Sequence, residues 1–152
     1  MGAIEVRRTV ATPLDAVWAT LTDFAGYGRW IPLTTMRTDP APVRPGWGFG
    51  GFTGLGPVGF LDSMLVVRWE PPQADRARFA VRKTGRVLAG WADVRLTGTA
   101  EGGTDVSWRE EIVPRPLLLG RVLAPASDLV TARLFARALD GMLGAAAQAP
   151  PG

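Results

Sequence analysis

A two-residue repeat opens the chain: Ile4, Val6, Arg8 and Val10 alternate with Glu5, Arg7 and Thr9, which predicts a first strand. Thr12-Pro13 then signals a helix start, with Thr12 as its cap, Pro13 at the first helical position and Asp15 in the first turn. Ala16, Val17, Ala19 and Leu21 carry that helix to about Thr22. DFAGYGRW, residues 23–30, is broken by Gly26 and Gly28 and predicts a second short helix or pair of turns, closed by Ile31-Pro32. Between residues 34 and 113, turn signals recur at strand spacing: Asp39-Pro40, Arg44-Pro45-Gly46, Gly54 to Gly59, Pro71-Pro72, Thr84-Gly85 and Glu101-Gly102-Gly103. Six strands of an antiparallel meander fit between them. From about Leu117 to Ala147 the period becomes helical. Leu129, Val130, Leu134, Ala138, Met142 and Leu143 form the apolar set, Arg133, Arg137 and Asp140 fall elsewhere, and Pro125 predicts a kink or the true start. Residues 1–148 read as one domain and 149–152 as a frayed tail.

One stretch stands apart from this pattern. GWGFGGFTGLGPVGF, residues 46–60, contains GxGxxG twice. A phosphate cradle of that kind needs a helix whose N-terminus follows the glycines, and Gly48, Gly50, Gly51 and Pro57 deny one here. The alternation Gly46, Trp47, Gly48, Phe49, Gly50 is instead a strand with one bare face. The expectation is a sheet edge with a bulge at Gly50-Gly51, followed by a flap bounded by Phe52 and Phe60 beside a cavity; a glycine-rich hairpin with no ligand role is the plainer alternative.

Composition narrows the chemistry. The 152 residues include no cysteine and no histidine, which removes His-based triads, Cys/His zinc sites, proximal-His haem and redox disulfides, and no metal or other cofactor is expected. Carboxylates, Arg, one tyrosine (Tyr27) and the single lysine, Lys83, remain for acid–base work. The net charge of +3 is spread along the chain without a basic cluster, so nucleic acid is not an expected partner. No transmembrane stretch or secretory leader is evident, and a cytoplasmic location is expected.

Turns and charges also suggest a strand register. A two-residue hairpin at Thr84-Gly85 sets Lys83 opposite Arg86, Val81 opposite Leu88 and Phe79 opposite Gly90. Pairing Asp93 with Arg109 in the next hairpin sets Leu96 against Val106, Val94 against Trp108, Ala92 against Glu110 and Gly90 against Ile112. Both registers put the apolar residues on one face and leave Arg78, Trp91, Asp93, Arg95, Arg109 and Glu111 on the wet one. Glu110 is then an anomaly, a carboxylate on the apolar face beside small neighbours, and must be paired, protonated or ligand-bound; a rim carboxylate satisfied by an arginine or by water is the plainer expectation. Lys83 on the same face could hold a ligand carboxylate or phenolate, although a solvated hairpin end is the expectation for it. The strand from Phe60 to Trp69 is ambiguous: Met64 and Val66 inward would bring Asp62 near Lys83, whereas Leu65, Val67 and Trp69 inward would not.

Five segments, TPLDAVWATLTDFAGYGRWIP, GPVGFLDSM, WEPP, KTGRVLAGWADVRL and GGTDVSWREEI, resemble the polyketide cyclase/dehydrase and lipid-transport branch of the SRPBCC superfamily, the START and birch-pollen-allergen-like helix-grip proteins. The likeness runs over residues 3–146. Gly59-Phe60-Leu61-Asp62-Ser63-Met64 departs from the family's frequent GFDDPM. The resemblance implies an α+β helix-grip fold: a seven-stranded antiparallel sheet wrapped around a long C-terminal helix, with two short helices after the first strand and an apolar cavity between sheet and helix. Candidate cavity residues are Phe49, Phe52, Phe60, Met64, Phe79, Val81, Gly90, Ala92 and Trp108 from the strands, with Leu134, Ala138 and Met142 from the long helix. Trp30 reads as core. Tyr27, on the short helices that close such a pocket, could donate to a ligand carbonyl. Three functions follow as expectations: burial of a hydrophobic small molecule such as a lipid, polyketide or aromatic metabolite; a cyclase or dehydratase with Glu110 as acid/base and Lys83 or Tyr27 polarising a carbonyl; or a protein-interaction module with a residual pocket.

Overall fold

A computed structural model describes residues 2–115 and 117–148, with the side chains of 117–128 and 131 outside the description. The expected tail at 149–152 also lies outside the described residues. Strand β1 (Ile4–Val10) leads into helix α1 (Leu14–Leu21) and a 3₁₀ helix (Phe24–Arg29). The strands β2 (Thr34–Thr38), β3 (Gly48–Leu55), β4 (Val58–Gln73), β5 (Arg76–Thr84), β6 (Leu88–Gly98) and β7 (Thr104–Pro114) follow, and helix α2 (Leu117–Gln148) closes the chain. All seven strands form one antiparallel sheet in the order β1-β7-β6-β5-β4-β3-β2. The architecture is the α+β arrangement read from the sequence, with two short helices between the first strand and the meander.

Local differences from the sequence expectations have identifiable causes. Pro13, not Thr12, occupies the cap position of α1, and no side chain caps the helix. Thr12 is buried, and its carbonyl accepts a bond from the Thr104 hydroxyl at 2.8 Å, tying the end of β1 to β7. The Pro71-Pro72 pair lies inside β4 within a register irregularity, and the turn comes at Ala74-Asp75, where Ala74 takes a φ of 55°. Helix α2 continues through Pro125. Leu129, Val130 and Leu134 are exposed on it, whereas Leu139, Met142, Leu143 and Ala146 pack inward.

The ambiguity of β4 is resolved by a bulge. Val66 pairs with Val81 but Arg68 pairs with Ala80, so Val67 is an extra residue and the pleat changes phase there. Met64 and Val66 face inward before the bulge and Trp69 faces inward after it, its ring 4.8 Å from that of Trp18. The first alternative holds up to the bulge; of the second only Trp69 faces inward, since Leu65 and Val67 are exposed.

At β6 the expected Asp93–Arg109 register is the one observed, with Ala92 opposite Glu110 and Gly90 opposite Ile112. The β5–β6 hairpin is longer than two residues. Lys83 pairs with Gly90, Val81 with Ala92 and Phe79 with Val94, and Arg86 lies in the exposed connection. The register differs from the expected one by an even number of residues, and an even shift leaves every side chain on its predicted face. The outer face accordingly carries an ion cluster in which Arg78 and Arg95 both reach Asp93, while the Trp91 indole donates to Glu111 and lies under Arg109.

The glycine-rich segment is a long hairpin, not a strand edge with a flap. β2 covers β3, β3 pairs with β4 without a shift at Gly50-Gly51, and Gly54 opposes Gly59 around the turn. Leu65 and the Asp39 carboxylate lie over Gly48, and Leu61 lies over Gly50, so neighbouring side chains fill the bare outer surface.

Gly90 is a glycine that the backbone requires. Its φ is +131°, and a Cβ there would collide with the Glu111 carbonyl oxygen. Gly90→Ala is expected to cost about 2–3 kcal/mol, since it adds backbone strain to a clash with a neighbouring strand. Chemical denaturation of the variant against wild type measures it.

Candidate functional site

A cavity of about 250 Å³ opens between the inner face of the sheet and α2. Strand alternation supplies one wall: Phe49 from β3; Asp62 and Met64 from β4; Phe79, Val81 and Lys83 from β5; Ala92 from β6; and Trp108, Glu110 and Ile112 from β7. Leu134, Phe135, Ala138 and Met142 from α2 form the opposite wall, and Phe24, Tyr27, Trp30, Ile31 and Pro32 close one end. A larger groove of about 540 Å³ on the outer face, bordered by Arg82, Trp91, Asp93 and Arg115, is open and polar by comparison.

Among the described lining residues the charged groups form one cluster. Lys83 is only 8% exposed, and its Nζ donates to Asp62 Oδ2 at 2.6 Å. The Met64 sulfur and Glu110 Oε1 each lie 3.8 Å from the same nitrogen. Lys83 is therefore not the solvated hairpin end expected of it. A lysine taken out of water needs a counter-charge, and Asp62 supplies it. This works because Met64 and Lys83 are register partners, which sets Asp62 one pleat away on the same face. Two small residues make room across the sheet: Gly90, the β6 partner of Lys83, adds no side chain, and Ala92, the β6 partner of Glu110, adds only a methyl group.

Glu110 sits beside this ion pair without a hydrogen bond of its own among the described residues. Burial pushes its carboxyl above the ordinary value of 4.5; Lys83 pulls it down and the Asp62 charge pushes it further up. The Trp108 indole N–H also favours the Glu110 anion weakly but does not reach hydrogen-bond geometry. Two buried side-chain polar atoms have no partner among the described residues: Asp62 Oδ1 and Trp108 Nε1. Both residues line this cavity. Elsewhere in a folded protein such atoms are normally satisfied, so their coincidence here marks a polar end with unused capacity.

Tyr27 lines the cavity, but its hydroxyl donates to the Leu21 carbonyl and is not free for a ligand. Burial, with Glu110 and Asp23 adding to it, raises the phenol's pKa and keeps it neutral. Of the other expected residues, Phe49, Met64, Phe79, Val81, Ala92, Trp108, Leu134, Ala138 and Met142 come together around the space, and three do not. Phe52 falls on the opposite face from Phe49 because no bulge intervenes, and its ring lies against Gly59. Phe60 shares the parity of Asp62 but pairs with Thr53 towards the hairpin tip, beyond the cavity. Gly90 borders the outer groove. Phe135 was missed, although Phe135, Ala138 and Met142 follow the i, i+3, i+7 spacing of one helix stripe. Trp30, read as core, is a cavity residue whose ring packs over Gly141.

A model of the family described as polyketide cyclase / dehydrase and lipid transport matches residues 1–149. The chain belongs to this family. Solved structures share its fold at low identity. A hypothetical protein from Helicobacter pylori is 14% identical with a TM-score of 0.76, over 95% of this chain and 88% of that one. A Thermus thermophilus protein is 12% identical with a TM-score of 0.74, over 99% and 100%. The Streptomyces aromatase/cyclase Zhui is 17% identical with a TM-score of 0.72, over 97% and 94%. No curated protein sequence matches the chain. As a member of this family the protein has the helix-grip fold associated with hydrophobic ligand cavities, and among the described residues no helix is long and apolar enough to cross a membrane.

A raised carboxyl pKa in the folded state has a defined sign. Folded Glu110 holds its proton to higher pH than the unfolded chain does, so its contribution to stability is fully present below about pH 4.5 and is lost as pH rises through the folded value. Glu110→Gln is expected to remove this loss. Its melting temperature should match wild type near about pH 4.5 and exceed it increasingly towards pH 8. Thermal melts across that range check it, and a variant that parallels wild type throughout would show that Glu110 is not held in its acid form.

Proposed function

We propose that the protein encloses a hydrophobic small molecule between the sheet and α2, with the Lys83–Asp62–Glu110 cluster meeting its polar end. The observation that carries this reading is the cavity itself: aromatic and aliphatic walls around a buried polar end with unpartnered atoms, the usual make-up of a small-molecule site. Its volume equals the liquid-water share of about eight water molecules, which suits a compact aromatic or short-chain ligand. Ala138→Trp would fill that space from α2. An environment-sensitive apolar dye should bind wild type with one-to-one stoichiometry and bind this variant at least tenfold more weakly, with circular dichroism unchanged; equal binding by the two proteins would place the dye elsewhere.

The same cluster favours a second reading, catalysis of a dehydration within a cyclising chain, in keeping with the aromatase/cyclase name of the Streptomyces structure of like fold. Asp62 Oδ1 is an unpartnered carboxylate oxygen and Glu110 a carboxyl whose acid form burial favours, on either side of Lys83. Asp62 would take the proton from the carbon next to a carbonyl as Glu110 protonates the departing hydroxyl. The C–H electron pair becomes the new C=C bond, water leaves, and the proton on Asp62 returns to Glu110 to complete the cycle. Glu110→Gln is expected to retain dye binding and lose turnover of a β-hydroxyketone substrate by at least a hundredfold; retained turnover would remove this mechanism and leave the binding role standing.

A further inference from the structure

The polar end of the cavity is charge-balanced before any ligand arrives. Lys83 is the cation there, Asp62 is bonded to it at 2.6 Å, and Glu110 at 3.8 Å adds a second carboxyl. The remaining cavity lining is apolar apart from the Tyr27 hydroxyl, which is committed to the Leu21 carbonyl, and the Trp108 indole nitrogen. A ligand carboxylate would find no free cation among the described lining residues, and it would add a net negative charge to a buried cluster that already holds two acids. What the cluster lacks is neutral hydrogen bonding: Asp62 Oδ1 needs a donor, and Trp108 Nε1 needs an acceptor.

From this pairing of needs we infer that the cavity selects apolar molecules bearing a neutral hydroxyl, a phenol or an alcohol, and discriminates against the corresponding carboxylic acids. A hydroxyl can supply either function, a donor proton or acceptor lone pairs. It introduces no charge. The acid form of Glu110, favoured by burial, can donate to a hydroxyl oxygen in the same way as the indole. Lys83 thus serves to neutralise Asp62, whose other oxygen is left without a partner among the described residues; it does not capture an anionic head group.

The inference rests on the binding reading above, and three isosteric probes separate the two. 2-Naphthol, 2-naphthoate and naphthalene share one bicyclic body, and near pH 7 the first is neutral while the second is anionic. Displacement of the apolar dye should give 2-naphthol an affinity at least tenfold higher than 2-naphthoate. Naphthalene should be weaker than 2-naphthol by a similar factor, because a site built around a hydroxyl leaves polar atoms unpaired when the hydroxyl is missing. If 2-naphthoate binds as tightly as 2-naphthol, or naphthalene equals it, the inference is overturned and the cavity remains a general apolar site. If none of the three displaces the dye, or the dye does not bind, the binding reading itself fails.

Two variants test the assignment of atoms. Trp108→Phe removes the indole donor while keeping an aromatic wall, and it should weaken 2-naphthol severalfold with little change for naphthalene; an equal loss for both would mean that the indole N–H plays no part. Asp62→Asn combined with Glu110→Gln leaves Lys83 as a lone cation, and the preference should then turn to 2-naphthoate. A double variant that folds and still favours 2-naphthol would show that charge balance does not set the selectivity.

Discussion

A buried ammonium group is the constraint around which the inner face of this sheet is arranged. The only lysine of the chain leaves water at the end of β5, and a charge in that position persists only with a counter-charge at bonding distance. The register of β4 against β5 supplies it, because Met64 opposite Lys83 puts Asp62 on the same face. The bulge at Val67 keeps this compatible with the rest of β4: without an extra residue, a strand that faces Met64 and Val66 inward would turn Trp69 to solvent, and the contact with Trp18 would be lost. One inserted residue lets the same strand place a carboxylate at one end of the cavity and an indole in the core at the other.

Aromatic contacts give the cavity its fixed boundary. Trp18 meets Trp69 and Phe79; Phe79 meets Phe24 and Trp108; Trp108 meets Phe135 on α2. On the side of the short helices, Phe24 stacks on Phe49 with centroids 4.4 Å apart. The rings form one connected set from α1 across the sheet to α2, so the floor of the cavity is part of the hydrophobic core. Large rigid side chains of this kind leave a space whose shape is set by the fold. The exposed Leu134 and the Ile31-Pro32 corner sit at the rim of that space.

Much of this was legible in the sequence, and the parts that were not have physical reasons. The six-strand meander followed from turn residues, and the facing of β5, β6 and β7 from charge alternation. The facing survived an error in the β5–β6 hairpin because a four-residue displacement preserves parity: Val81 moved from opposite Leu88 to opposite Ala92 and stayed inward. The anomalous position of Glu110 needed only Asp93 opposite Arg109. Non-local facts were hidden. That Lys83 is buried depends on Asp62, 21 positions away, and on a bulge at Val67 that no local pattern announces. The bulge expected at Gly50-Gly51 does not exist, since β3 keeps its pairing and side chains from β4 fill the bare face; this sends Phe52 away from the cavity. Tyr27 looked available because the carbonyl of Leu21 comes within its reach only after α1 hands over to the 3₁₀ helix.

The absence of histidine from the chain gives the carboxyl pair its significance. A site that must move or hold a proton near neutral pH ordinarily uses imidazole, whose unperturbed pKa lies there. This chain has none, so any such group must be made by displacing a carboxyl upward, and burial next to another acid does that for Glu110. Asp62, on the same face, is bonded to Lys83 at 2.6 Å. Two chemically similar side chains on one face thus meet one ammonium group at different distances, 2.6 Å for Asp62 and 3.8 Å for Glu110. On the reading proposed above, a ligand hydroxyl would meet this pair without bringing a charge into the apolar space.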